Sequence, residues 1–292
     1  MASMRDIKRR RESISSTSQI TKAMKLVATV KLQKAKSRAE NAKPYFNKMY
    51  ETVVSVLARS GQLDSPYLQA RGEDEPAKKG VILISSNRGL AGGYNANIVK
   101  LITRGDFSPQ DTVIFPVGRK GMEAITSAGY TCKGDYSEVI NNPLFQDAAD
   151  IGKEVFEAFD NGEINEIYLA YTVFENTVKH IPALKKLLPI KPGDLAQEDT
   201  VQEKGLQAPM NYEPNSDVTL EYIIPLYVNS LIYGALTEAV ASENGARMQA
   251  MDNATNNAED MISMLELQYN RARQSSITQE LTEIVAGASA IE

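Results

Sequence analysis

The segment Ser85-Ser86-Asn87-Arg88-Gly89-Leu90-Ala91-Gly92-Gly93-Tyr94-Asn95 follows an apolar run and precedes a helical pattern. A phosphate-cradling loop belongs in that position, because backbone N–H groups and a helix N-terminus converge there. The spacing is neither G-x-G-x-x-G nor G-x-x-x-x-G-K-[ST], so the fingerprint of a nucleotide loop is missing. The plainer reading is a glycine turn that lets strand and helix pack, or lets another chain come close. Other chemistry is sparse. His180 is the only histidine and Cys132 the only cysteine, which disfavours a His-based triad, a Cys/His zinc cluster and any intramolecular disulfide. No carboxylate pair stands at an acid/base spacing. No catalytic, cofactor-binding or metal residue is therefore expected. Lys8-Arg9-Arg10-Arg11 could meet nucleic acid, but no aromatic residue interleaves it, so a solvated or partner-facing helix face fits better.

Charge sharpens the partner question. The chain carries 32 Lys+Arg against 37 Asp+Glu, net −5, yet residues 1–48 hold thirteen bases and three acids. That arm is +10 and the remainder −15. A basic arm on an acidic protein seeks an acidic partner: nucleic acid, a membrane surface or an acidic protein. Residues 1–13 are charged and lack the apolar core of a signal peptide. The longest uncharged run, Tyr222–Thr237, contains Pro225, Asn229 and Ser230 and falls short of the roughly 20 apolar residues a span needs. No direct membrane span is expected.

Two long helical patterns flank a different middle. From Met4 to Leu57, apolar residues Ile20, Met24, Val27, Ala35, Ala39, Ala42, Phe46, Met49, Val53 and Val56 recur mostly at steps of three or four, with Lys31 breaking the stripe. Pro44 should kink or split this helix. From Val218 to Ile291 the pattern returns, with Met251, Ala254, Ala258, Met261 and Leu265 at the alternating steps of a coiled-coil seam. The methionines Met248, Met251, Met261 and Met264 read as core of that seam. Ile277, Leu281, Ile284 and Ala288 carry an apolar face onward. Only about 55 residues are available at the N-terminus to pair with this arm, so one end of it should stand alone or touch other chains.

Between the arms, Val81–Ile84 and Thr112–Val117 read as buried strands, the apolar run of the first fitting burial on both faces, and Glu166–Phe174 reads as a third strand. Ile181–Ile190, interrupted by Pro182 and Pro189, suits an edge strand. Helices are expected over Ala96–Thr103, Lys120–Ala128 and Leu144–Phe159. The fold class is α/β with long terminal helices: an antiparallel two-helix coiled coil plus a Rossmann-like, mostly parallel α/β domain. The divisions are a helix over 1–58, the α/β domain over 80–190, an acidic loop over 191–215 and a helix over 216–292.

Several blocks together resemble one family. Ile7-Lys8-Arg9-Arg10 leads to Ser18-Gln19-Ile20-Thr21-Lys22-Ala23-Met24-Lys25-Leu26-Val27-Ala28 and Lys31-Leu32. Ser86-Asn87-Arg88-Gly89-Leu90-Ala91-Gly92-Gly93 follows the first strand. Ala246-Arg247-Met248 and Met251-Asp252-Asn253-Ala254-Thr255 precede Tyr269-Asn270-Arg271-Ala272-Arg273-Gln274, and Ile277-Thr278-Gln279-Glu280-Leu281-Thr282-Glu283-Ile284-Val285-Ala286-Gly287-Ala288 closes the chain. This resembles the gamma subunits of F-type ATP synthases across the whole chain. Asn87 stands where that family usually has Asp, and Ala91 where it often has Cys.

The resemblance implies a central rotor shaft, with terminal helices turning inside a ring of three alpha and three beta subunits. It implies an α/β domain that meets epsilon and the ring of c subunits. Ion flow, of protons or sodium, would turn the shaft and drive each beta site through states of different nucleotide affinity. No catalytic site of its own, no cofactor and no nucleic acid are implied. The implied contacts are Met24 and Lys25 near acidic beta levers, and Arg247, Gln274, Thr278 and Glu280 against beta loops, with Arg88 beside the glycine turn. The implied location is the cytoplasmic face of a bacterial inner membrane, held peripherally. The residues alone leave two rivals: a nucleotide-binding α/β enzyme, and a coiled-coil adaptor on nucleic acid or anionic membrane.

Overall fold

The computed structural model describes residues 4–59, 66–68, 78–190 and 216–289. The expected acidic loop and most of the linker before the first strand lie outside these residues. Two long helices are present: α1 (Met4–Arg59, 56 residues) and α5 (Ser216–Ser289, 74 residues). Between them run β1 (Lys79–Ile84), α2 (Tyr94–Thr103), β2 (Thr112–Val117), α3 (Arg119–Ser127), β3 (Thr131–Cys132), a 3-10 turn (Val139–Asn141), α4 (Phe145–Asp160), β4 (Glu166–Phe174) and β5 (His180–Leu188). The chain forms two compact units: Val30–Ala246, and the residues up to Thr29 together with those from Arg247 on.

In the larger unit the sheet order is β3-β2-β1-β4-β5. The first three pairings are parallel, and β4 with β5 is an antiparallel hairpin at one edge. Alternation along the strands builds two cores. Val81, Leu83, Ile114 and Ala170 face one way and pack with Ile98 and Ile102 of α2 and Ile125 of α3. Ile82, Ile84, Phe115, Val117, Ile167 and Leu169 face the other way. They meet Ile151, Val155 and Phe159 of α4, Val53 and Val56 of α1, and Ile224, Val228, Ile232 and Leu236 of α5. Burial on both faces explains why β1 and β2 read as unbroken apolar runs. Strand β3 was not expected: with two residues, it has no hydrophobic pattern to read. By length and composition α5 qualifies as a candidate membrane-crossing helix, with 50% of its most apolar window buried within the protein. Its uncharged run places Ile224, Tyr227, Val228, Ile232, Ala235 and Leu236 in the core.

Pro44 does not split α1, which continues through it to Arg59. The carbonyl that Pro44 leaves without a donor belongs to Glu40, and both residues are exposed, so water can satisfy it.

In the smaller unit α1 and α5 run antiparallel. Arg11 lies opposite Glu266 (3.7 Å) and Lys25 opposite Asp252 (2.5 Å), while Thr21 Oγ1 and Thr255 Oγ1 share a hydrogen bond of 2.8 Å. The packed seams differ from the expected ones by a rotation of each helix. On α1 the buried positions are Ile7, Ser18, Thr21 and Ala28, whereas Ile20 and Val27 are 61% and 58% exposed. On α5 they are Met251, Thr255, Ala258 and Leu265, with Ile262 half-buried and Met261 52% exposed. Hydrophobicity alone misplaces the seam, because a hydroxyl pair bonding across it lets Thr21 and Thr255 sit where an apolar residue was sought, and Ser18 is small enough to be buried beside them. In the larger unit the next seam position of α1 is Leu32, buried at 5% exposure, which removes the apparent break at Lys31.

Candidate functional site

A sheet with this strand order offers its ligand crevice at the carboxyl ends of the strands, where the order reverses. Here that point lies between β1 and β4, beside the glycine turn. The chain's own helix α5 crosses it. Phe174 N–H donates to Glu238 Oε1 at 3.0 Å, Ser242 Oγ donates to the Thr172 carbonyl at 2.8 Å, and Tyr94 OH donates to the Ala239 carbonyl at 3.3 Å. Ser242, Asn244 and Glu243 are buried there. A nucleotide would have to displace these contacts.

The turn is tied up internally as well. Ser85 N–H donates to the Val117 carbonyl (2.7 Å) and Ser86 N–H to Asn95 Oδ1 (3.0 Å), so these donors face no open cradle. Asn87 clamps two neighbouring segments: its Oδ1 accepts Arg119 N–H at 3.0 Å, and its Nδ2 donates to the Ser137 carbonyl at 2.7 Å. Gly118 (φ 108°) and Gly121 supply the room, since a Cβ would fall 2.3 Å from the Ser85 carbonyl oxygen and 2.5 Å from Ser85 Oγ, respectively. The tip Arg88-Gly89-Leu90 is exposed, with Leu90 held at φ 62° and 65% exposed. The turn is a packing device that presents one leucine outward.

The remaining expected contact residues lie in the smaller unit. Met24 is half-buried. Lys25 is engaged with Asp252, so its charge is already partly answered inside the pair. Arg247 is half-buried, whereas Gln274, Thr278 and Glu280 are exposed. Given the pairing register, α1 begins opposite the stretch just before Gln274, and every residue from Ile277 to Ala288 is exposed. Apolar side chains are prominent there: Ile277 48%, Leu281 58%, Ile284 68% and Val285 64% exposed. Further apolar side chains are exposed on the pair: Ile20, Leu26 and Val27 on α1, and Met261, Met264 and Leu267 on α5. Exposed apolar surface of this extent marks contact with other chains. The apolar periodicity of α1 places Ile20 and Val27 in the inner seam, so their exposure is not legible in the sequence.

Among the described residues the arrangement offers exposed apolar surfaces for contact, and comparison with known proteins gives the family. A family described as ATP synthase matches residues 3–291. The ATP synthase gamma chain of Lachnoclostridium phytofermentans is 62% identical over 293 residues, covering 100% of both chains. The chain belongs to the ATP synthase gamma chain family. A more distant gamma chain, described as sodium ion specific, comes from Acetobacterium woodii at 40% identity, covering 99% of this chain and 98% of that one. Among solved structures, a chain of the Tetrahymena thermophila mitochondrial ATP synthase central stalk and c-ring superposes with TM-score 0.56 at 27% identity, covering 80% of this chain and 99% of that one. A chain of the Euglena gracilis mitochondrial ATP synthase shares the fold at TM-score 0.65 and 21% identity, covering 99% and 94%.

Proposed function

We infer that this gamma chain is the central shaft of a membrane-associated ATP synthase, coupling ion flow to ATP synthesis or hydrolysis in a ring of alpha and beta subunits. The observation that carries this reading is the antiparallel α1–α5 pair with apolar side chains on its outward surface and along the end of α5. A shaft acts by contacting successive neighbours unequally. Shifting a two-state neighbour from 1:99 to 99:1 takes about 5.5 kcal/mol of differential contact. A few apolar side chains, each contributing on the order of 1–3 kcal/mol when buried, supply that on one side of a rod and withhold it on the other.

The cationic residues of α1 add direction. Lys8, Arg9, Arg10 and Lys22 are exposed on α1, and they suit acidic segments on the beta subunits. In this reading Met24, Lys25, Arg247, Gln274, Thr278 and Glu280 form the contacts with beta, and the Arg88–Leu90 tip presents a further one. The α/β unit takes the c-ring and epsilon end, with the whole on the cytoplasmic face of the membrane. The chain itself performs no chemistry.

The test is reconstitution. The purified chain is assayed for ATP hydrolysis alone, with alpha and beta subunits, and with those subunits in its absence. The expected outcome is negligible activity alone and a marked rise on mixing. Brisk hydrolysis by the lone chain, or failure to co-purify with alpha and beta, overturns the reading.

A further inference from the structure

The rotor role leaves a half-buried titratable side chain without a task. His180, the only histidine, opens β5 and pairs across the hairpin with Phe174, the last residue of β4. The two rings meet edge to face at 5.8 Å. His180 Nε2 is buried with no hydrogen-bond partner. The ring edge fills the space that a side chain at Gly245 of α5 would occupy: a Cβ there would lie 2.5 Å from Nε2 and 3.2 Å from the Phe174 ring. Glu238, Ser242 and Gly245 lie on one face of α5, so the helix meets the end of the hairpin at three successive points.

Neutral histidine suits this seat and the cation does not. The neutral ring leaves a lone pair buried beside Gly245. Protonation would place an N–H and a positive charge in the same spot with no acceptor, a cost well above that of the unpaired lone pair. The charged groups on the surrounding elements give little relief. Lys36 of α1 already holds its ammonium 5.2 Å from the centroid of the Phe174 ring. Glu238 of α5 accepts the Phe174 N–H, Glu243 of α5 is buried, and Glu175 and Lys179 in the hairpin turn pair with each other at 2.8 Å.

We propose that His180 is a proton-sensitive seat joining the β4–β5 hairpin to α5: neutral, it locks the hairpin end onto the helix, and protonated, it releases it. Burial pushes the His180 pKa below its ordinary value of 6.5, in the direction the geometry requires. This device is independent of the shaft reading.

The experiment is hydrogen exchange on the full-length chain at pH 7.5 and pH 5.5. Exchange is corrected for intrinsic rates, and peptides covering Thr172–Ile181 are compared with β1 as an internal reference. Opening exposes one histidine of ordinary affinity, so protection of the hairpin end relative to β1 is expected to fall at pH 5.5, by at most about tenfold. In His180→Phe, which retains the ring and Glu238, that pH effect is expected to vanish. A second readout does not depend on the variant folding: the lone histidine's C2 proton gives a single resonance, whose titration midpoint is expected below 6.5. A pH-independent hairpin, a pH effect that survives in His180→Phe, or a midpoint at or above the ordinary value overturns the proposal.

Discussion

At the scale of single residues, the contacts that matter are those with no room to yield. Gly245 is helical, and alanine is the better helix former by about 1 kcal/mol. Its missing Cβ is nonetheless the space taken by His180 and Phe174. Gly245→Ala should therefore destabilise the larger unit by about 1–2 kcal/mol net, since overpacking a tight contact costs more than the propensity returns. Urea unfolding followed by circular dichroism checks this; a stabilised variant would show that the seat is loose. Glu238 gives a pH prediction of opposite sense to that of His180. Burial raises its pKa from 4.5, outweighing the Phe174 N–H bond that lowers it. A raised folded-state pKa means its favourable share of stability is complete below pH 4.5 and is lost as pH rises through the folded value. Glu238→Gln, which keeps an acceptor for Phe174 N–H, should be more stable than the parent at pH 8 and equal to it near pH 4. Equal midpoints at both pH values would remove burial as the cause.

At the scale of elements, the loop after β1 shows how a polar side chain can replace secondary structure. Asn87 joins three segments through one amide, donating to Ser137 and accepting from Arg119. Asn87→Ala should cost about 1–2 kcal/mol by orphaning both partners. Asn87→Asp should fall between, because a carboxylate accepts from Arg119 N–H but cannot donate to the Ser137 carbonyl. Thermal melts of the three proteins give the ordering directly, and an aspartate variant as weak as alanine would contradict it. The helix pair teaches a related lesson. Lys25–Asp252 is short, yet its side chains are 40% and 47% exposed, so it contributes only about 0.2–1 kcal/mol. The seam of Thr21, Thr255, Ala28 and Ala258 brings the two helices close, and the ion pairs set which residues lie opposite.

At the scale of the whole molecule, stability and function draw on different faces. Ile20, Leu26 and Val27 are 58–65% exposed, so replacing each by serine should leave the melting of the isolated chain unchanged to within about 0.5 kcal/mol per site. The same changes should weaken association with the alpha and beta subunits by about 1 kcal/mol or more per buried site. Titration of the ring with parent and triple variant separates the two effects. Loss of chain stability would mean that these residues belong to the fold, and unchanged affinity would mean that the ring does not use them.

What could be read from sequence follows from what is local. Strand β2 was bounded correctly at Thr112–Val117, because burial on both faces writes itself as a nearly uninterrupted apolar run, and β4 at Glu166–Phe174, where β-branched and aromatic residues mark a partly buried strand. The parallel sheet, the two long terminal helices and the gamma-family blocks were legible for the same reason: each is a pattern along the chain. The rotation of each helix about its axis was not. Two neighbouring stripes differ by one residue, and only the partner helix decides that Thr21 turns inward while Ile20 turns out. The fate of the crevice was equally out of reach. A glycine turn after β1 can cradle a phosphate or seat a helix, and the choice was made by α5, more than a hundred residues later, laying Glu238, Ser242 and Gly245 across the strand ends. Periodicity is a property of a segment, whereas occupancy of a space depends on every segment that could reach it.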